Sequence, residues 1–229
     1  MAENLLLRAL PRDDFAQIAP KLSKLPLKLH TVLYGIGAPI EDVYFVEAGL
    51  VSYLALTDSG DAIETGIVGR EGVVGGIVCI DSPHSLSQVV VQITGWGLRM
   101  ATRDFVHAYG AMPELRRLIN RHLNVMLFQA QQNGACHALH AIDGRLCRWL
   151  LQAQDVLQSE IVELTQEFLS HMLGVQRSSV SVSAHGLQAA GLIRYSRGKI
   201  EIVNRAGLEE SACECYAAIR NQARKALEP

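Results

Sequence analysis

The spacing of hydrophobic positions changes near residue 112, and the two halves of the chain read as different architectures. Upstream, "VYFVEAGLVSYLAL" (43–56), "AIETGIVG" (62–69) and "QVVVQITGWGLRM" (88–100) are runs rich in β-branched and aromatic residues, the composition that strands prefer. "TDSGDA" (57–62) supplies a hairpin turn between the first two. Eleven of the 19 glycines fall between Gly35 and Gly97, and short strands joined by glycine turns predict a sandwich or jelly-roll barrel rather than a βαβ fold.

Downstream the period becomes helical. "MPELRRLINRHLNVMLFQAQQNG" has Pro113 at a first helical position and Asn133-Gly134 as its end. Its apolar residues Leu115, Leu118, Ile119, Leu123, Val125, Met126 and Leu127 cover more than one face. A surface that wide packs against two things, the chain's own barrel and a second copy of the chain, or it is buried in one large core. "DGRLCRWLLQAQDVL" (143–157) is a further helix with Leu146, Trp149, Leu150 and Val156 as its buried set.

The stretch 171–187, "HMLGVQRSSVSVSAHGL", is ambiguous, because "SVSVS" alternates like a half-buried strand. Its surroundings decide the reading. Thr165 is an N-cap, Glu167 suits a helix start, and Phe168, Leu169, Met172 and Leu173 share one helical face. Gly174 makes a turn, after which Val180, Ala184 and Leu187 recur at i, i+4 and i+7. The result is a helix-turn-helix, and "GLIRYSRGKIEIV" adds two short strands around the basic turn Ser196–Lys199.

Charge matters only locally. The chain of 229 residues carries a formal charge of −2, which does not point to a polyanion. Residues 165–205, however, hold five cations (Arg177, Arg194, Arg197, Lys199, Arg205) against two acids (Glu167, Glu201). The exposed face of the second helix then fits a major-groove reader. Arg177 pairs with a guanine edge, Gln188 and His185 hydrogen-bond bases or phosphates, and Val182 meets a thymine methyl. Ser178 and Ser181 are short donors, Thr165 and Gln166 lie near phosphates, and Arg197 and Lys199 form a wing.

Other chemistry is thinner. The N-terminus lacks a signal-peptide pattern, no window is apolar enough to span a bilayer, and five irregularly spaced cysteines fit a reducing cytoplasm. Cys213 and Cys215 make a C-x-C without a second Cys/His pair at zinc-finger spacing, so the cysteines read as structural thiols and no metal site is expected. Only His30 and His84 occupy the β-rich region, so no catalytic residue is expected.

These segments resemble known proteins. "DGRLCRWLL" with "LTQEFLSHMLGVQRSSVSVSAHGLQAAGLIRYSRGKIEIVNRAGLEE" resembles the C-terminal module of CRP/FNR transcription regulators. "VLYGIGAPIEDVYFVEAGLVS" with "GIVGREGVVGG" resembles that family's sensor domain. The resemblance implies an α+β chain with a cupin-like sensor barrel (1–110), a long dimerisation helix and hinge (111–140) and a winged helix-turn-helix (141–229). It further implies a homodimer along Leu115, Leu118, Ile119, His122, Val125 and Met126, bound to palindromic double-stranded DNA, with RNA polymerase as a further partner. Arg177 matches the family's contact arginine, whereas the next two contact positions, often Glu and Arg, are Ser178 and Val182 here.

The effector region departs as well. Cyclic-nucleotide-binding members place Gly-Glu and then Arg-Ser or Arg-Thr around the phosphate. This chain has Gly75-Gly76 and "PHSLSQ", with no Lys or Arg between Glu71 and Leu98. A buried phosphate without a cation is costly, so cyclic AMP is not the expected effector. Gly75, Gly76, His84, Ser85 and Ser87 remain candidates for another ligand. No cysteine precedes Cys79, which disfavours the family's iron–sulfur cluster. No cofactor is expected; haem on Cys79, His30 or His84 is the alternative, as is a thiol switch at Cys147 or Cys136. The competing functional readings are a cupin-like small-molecule binder and an interaction module that has lost DNA binding.

Overall fold

The computed structural model describes residues 2–164, 166–196 and 198–228, with the side chains of Gln166 and Glu167 outside that description. Two compact units result. One contains the residues up to Tyr53, Ile67–Leu127 and the residues after Asn221; the other contains Leu54–Gly66 and Phe128–Asn221.

The first unit begins with two short helices, α1 (Leu5–Ala9) and α2 (Arg12–Ile18). Strands β1 (Ser23–Leu27), β2 (Val32–Tyr34), β3 (Asp42–Leu56), β4 (Ala62–Val68), β5 (Val73–Val74) and β6 (Gln88–Ala101) follow. They form a sheet in the order β1-β6-β3-β4, with β2 on β6 and β5 on β3. The three glycine-rich runs are therefore strands, and the sheet is of the jelly-roll type that their spacing predicts. Thr57 and Asp61 close the expected hairpin turn, with Gly60 at φ +89°.

Glycine lets the two long strands approach. Gly49 has φ +91°, and a Cβ there would lie 2.6 Å from the Ile93 carbonyl oxygen. A Cβ on Gly95 would run into the Ala48 carbonyl, which is backbone and cannot step aside.

Helices α3 (Thr102–Ala111) and α4 (Pro113–Leu139) close the core. Leu115, Leu118 and Ile119 join Val43, Phe45, Val73 and Phe105 in one buried cluster. His122 is buried too; its Nε2 lies 3.0 Å from the Val73 carbonyl oxygen, and burial lowers its pKa to about 4. Four of the positions expected along the dimer helix lie in this buried cluster or beside it. Leu115, Leu118, Ile119 and His122 are buried within their own unit. Val125 and Met126 are half-buried, and Leu127 is 59% exposed.

Asn133-Gly134 does not end α4, which continues to Leu139. Asn133 is buried, donates to the Thr65 carbonyl at 3.1 Å and accepts from Arg148 at 2.8 Å. Those tertiary bonds hold in helical geometry a pair that local preference reads as a stop.

The second unit is built around α5 (Ile142–Leu157). Leu146, Trp149 and Leu150 are buried as expected, Val156 only half so. Burial goes much further than one stripe, covering every residue from Arg145 to Ala153. Trp149 donates its indole N–H to the buried Glu64 carboxylate at 2.7 Å. The unit is completed by β7 (Ile161–Glu163), α6 (Gln166–Leu173), α7 (Arg177–Ala189), β8 (Ile193–Ser196), β9 (Lys199–Ile202), α8 (Arg205–Ser211) and α9 (Cys215–Leu227).

Two stability outcomes follow from this packing. Gly95→Ala is expected to cost about 1–3 kcal/mol through overpacking, seen as a lower thermal midpoint. Gly35→Ala, with nothing within 4 Å of its new Cβ, should leave that midpoint nearly unchanged. Trp149→Phe removes the donor to Glu64 and is expected to cost about 1–3 kcal/mol in denaturant unfolding. The double change with Glu64→Gln should recover part of that loss, because no buried charge then needs the donor.

Candidate nucleic-acid interface

Helices α6 and α7 meet at a turn that needs glycine. Gly174 has φ +57°, a region that L-residues with a Cβ occupy at a cost of about 1–2 kcal/mol. A Cβ there would also come within 2.9 Å of Ile63 Cδ1. The turn is closed by the Gly174 amide on the His171 carbonyl and the Val175 amide on the Ser170 carbonyl.

"SVSVS" is helical. Val180, Ser183, Ala184 and Leu187 are buried along one side of α7, the i, i+4, i+7 set plus one serine. A strand would have put Val180 and Val182 on the same face; instead Val182 is 75% exposed while Val180 is buried. Arg177 occupies the first turn, and Arg177, Ser178, Val182, His185 and Gln188 are exposed, with Ser181 half-buried.

Several of these side chains already have local partners. Ser181 Oγ donates to the Arg177 carbonyl at 3.2 Å, and His185 Nδ1 lies 2.8 Å from the Ser181 carbonyl. Gln188 accepts the Tyr195 amide at 2.8 Å, so its oxygen fastens α7 to β8 and only its amide nitrogen is left to face a base. Arg177, among the described residues, has no carboxylate within ion-pair distance.

The wing is larger than two strands. β7 pairs antiparallel with β9, and β9 with β8, giving the order β7-β9-β8. The three-residue strand Ile161–Glu163 is too short to show a period in the sequence. Ser196 pairs with Lys199 across the turn, where Gly198 has φ +79°. Thr165 and Arg197 lie outside the described residues, as does the side chain of Gln166.

The local charge excess is smaller in space than along the chain. Arg194 pairs with Glu201 at 2.5 Å and Lys199 with Glu163 at 2.7 Å. Arg205 is bound by Asp155 at 2.8 Å and Glu209 at 3.0 Å, and it donates to Gln154 and Tyr216. It is a tertiary knot rather than a surface cation. Apart from Glu201, the acids that balance these cations come from outside the counted window, which a linear sum cannot register.

The effector candidates fall on two loops of the first unit. Gly75 has φ +89°; a Cβ there would lie 2.6 Å from the Tyr34 hydroxyl, and its amide donates to the Tyr53 hydroxyl at 3.2 Å. Burial pushes the Tyr53 phenol up to about 12, so it stays neutral. A Cβ on Gly76 would press on Val73 at 3.2 Å. His84 is exposed and bridges to Pro39, whereas Ser85 is buried and donates to the Ser87 carbonyl at 2.7 Å. The two tyrosines around Gly75 were not apparent in the sequence, since they come from β2 and β3.

Comparison with known proteins agrees with this arrangement. Residues 144–211 match the Crp-like helix-turn-helix domain. FixK2 from Bradyrhizobium japonicum has a similar structure, with TM-score 0.72 and 17% identity over 84% of this chain and 98% of its own. A CRP/FNR-family regulator from Thermus thermophilus, TTHA1359, gives TM-score 0.67 and 21% identity over 83% and 98%. The c-di-GMP-responsive regulator CLP of Xanthomonas campestris gives TM-score 0.68 and 16% identity over 84% and 99%. No curated protein sequence matches. Residues 144–211 thus form a Crp-like helix-turn-helix, and the chain as a whole shares its fold with these regulators.

Proposed function

We propose that this chain acts as a homodimer that reads a two-fold-symmetric duplex site through the exposed face of α7, and that cyclic AMP does not control it. The observation that carries the reading is Arg177 at the start of α7, unpaired with any carboxylate among the described residues and followed by exposed Ser178, Val182 and His185. Arginine in that position is the commonest donor to a guanine edge, and Val182 adds an apolar contact for a thymine methyl. Lys199 supports the backbone beside the groove by exchanging Glu163 for a phosphate. An exposed ion pair holds it back by only about 0–1 kcal/mol.

The dimer would use the outward face of α4 rather than its buried one. Leu127 at 59% and Leu139 at 78% exposure are large apolar residues open on that helix, with half-buried Val125 near Leu127, whereas Met126 packs against the core. Matched symmetry would place two half-sites roughly 34–36 Å apart. The chain would work in the cytoplasm with RNA polymerase as its downstream partner and carry out no catalysis. Among the described residues no helix is long and apolar enough to cross a membrane.

Against cyclic AMP stand the lack of any Lys or Arg between Glu71 and Leu98 and the Tyr34 hydroxyl packed where Gly75 would otherwise leave room. A phosphate there would lose its hydration without gaining a charge-assisted bond.

Selection of random duplexes by the purified protein, without effector, is expected to enrich an inverted repeat. Fluorescence anisotropy on the selected duplex should then show Arg177→Ala weakening binding by about 10- to 100-fold, corresponding to roughly 1–3 kcal/mol. Unchanged affinity in that variant would remove α7 as the reader. Calorimetric titration with cyclic AMP is expected to give no binding heat and no change in DNA affinity; saturable binding would refute the effector reading.

A further inference from the structure

The cysteines lie far apart in sequence, yet four metal-ligating side chains meet in the second unit. Cys136 and His140 stand one helical turn apart at the C-terminal end of α4, where the His140 amide still bonds the Cys136 carbonyl at 3.1 Å. Cys213 lies in the connection between α8 and α9, and Cys215 opens α9. The three sulfurs and one imidazole nitrogen all lie within 4.8 Å of one another. Cys136 Sγ is 3.5 Å from Cys213 Sγ, and Cys215 Sγ is 3.4 Å from His140 Nδ1.

Those separations are close to the edges of a small tetrahedron. Zinc–sulfur bonds of about 2.3 Å and zinc–nitrogen bonds of about 2.0–2.1 Å put neighbouring ligand atoms roughly 3.6–3.8 Å apart. The 3.4 and 3.5 Å pairs already match such edges, and the wider pairs, all within 4.8 Å, close by no more than about 1 Å to hold one ion. Four ligands close the coordination shell, which is the pattern of a structural rather than a catalytic zinc.

The surroundings are arranged as a metal site requires. His140 presents Nδ1 to the sulfurs while its Nε2 lies 3.1 Å from the Glu214 carboxylate, a partner that fixes the ring and its tautomer. Gln132 donates its side-chain N–H to Cys215 Sγ at 3.1 Å. The Cys213 amide is anchored on the Gly144 carbonyl at 3.3 Å, where a Cβ on residue 144 would crowd it. Cys136 and Cys215 are buried, and Cys213 and His140 are half-buried, so the cluster is shielded but reachable.

Charge gives an independent indication. Arg145 and Arg148 are 7% and 1% exposed, and among the described residues neither has a carboxylate partner. Arg148 is held by two neutral oxygens, those of Asn133 and Gln152.

We propose that Cys136, His140, Cys213 and Cys215 bind a single thiophilic divalent cation, zinc by the fit of its ligand set and size, in a structural Cys3His site. Binding displaces up to three thiol protons to solvent and leaves a complex of net charge −1 beside the two buried arginines. The ion ties the last turn of α4 to the α8–α9 connection, joining segments 77 residues apart. The assignment does not depend on DNA binding, because its readouts are the metal and its spectrum.

The test uses the full chain, purified under reducing conditions, stripped with a chelator and titrated with Co2+ and then Zn2+. The expected result is one Co2+ per chain, with sulfur-to-cobalt charge-transfer absorption and the intense visible bands of a four-coordinate site, both abolished by one equivalent of Zn2+. Cys136→Ser and Cys213→Ser should lose the charge-transfer intensity of one sulfur and bind zinc at least about 10-fold more weakly. Glu214→Gln should keep the spectrum and weaken zinc about 10-fold through the lost ring partner. Cys79→Ser and Cys147→Ser should match the unaltered chain. Reduced wild-type protein that gives no four-coordinate cobalt spectrum would overturn the proposal, and that titration requires no variant to fold. So would zinc uptake unchanged in Cys136→Ser and Cys213→Ser, or a Cys136–Cys213 disulfide whose reduction leaves a chain that takes up no metal.

Discussion

The 2.7 Å hydrogen bond from the Trp149 indole to the Glu64 carboxylate is the constraint around which the second unit is organised. Both groups are buried, and a carboxylate withdrawn from water needs donors to remain there. Trp149 supplies one from the centre of α5. The same hairpin strand is gripped from two further directions: Asn133 of α4 donates to the Thr65 carbonyl, and Ile63 packs under the Gly174 turn. This explains why residues 54–66 belong with the helical unit although they continue strands of the sheet. It also explains why α5 is covered nearly all round instead of along one stripe.

The winged helix-turn-helix illustrates how one helix divides its labour. Val180, Ala184 and Leu187 seat α7, which leaves the opposite face with short polar groups, one arginine and one bare valine. Gln188 has a foot on each side, since its oxygen holds the Tyr195 amide. Of the wing and flanking cations, Arg205 is locked into Asp155, Glu209 and Tyr216 and helps build the module, whereas Lys199 and Arg194 are in exposed pairs that solvent screens. Proximity to α7 thus does not leave a cation free on the surface.

Helix α4 carries residues of both units, and its sequence shows it. Up to Ile119 its apolar positions complete the sheet's core; beyond Leu127 the buried positions turn polar and sulfur-bearing, with Gln129, Asn133 and Cys136. Polar groups buried on a helix demand specific partners, and these find Thr65, Arg148 and the cysteine cluster.

The period of the hydrophobic pattern alone determined the main element types: the long strands before residue 102, the helices after it, the Gly174 turn, and the buried set of α7. Those features rest on interactions between near neighbours, and the side-chain repeats of 2.0 and 3.6 residues carry them. The helix-face pattern made Arg177 a candidate guanine partner, and the family resemblance matched it to a contact arginine. The rest was decided in three dimensions. The end of α4 was misread at Asn133-Gly134 because its helical state depends on Thr65 and Arg148, 68 and 15 residues away. Periodicity showed that one face of α4 is apolar, and only the fold showed that Leu115, Leu118, Ile119 and His122 are covered by their own unit. The charge excess shrank once Glu163, Asp155 and Glu209 folded back onto it, and the C-x-C gained its Cys and His from a helix 73 to 79 residues upstream. Each of these depends on contacts between remote segments, and such contacts leave no period in the sequence.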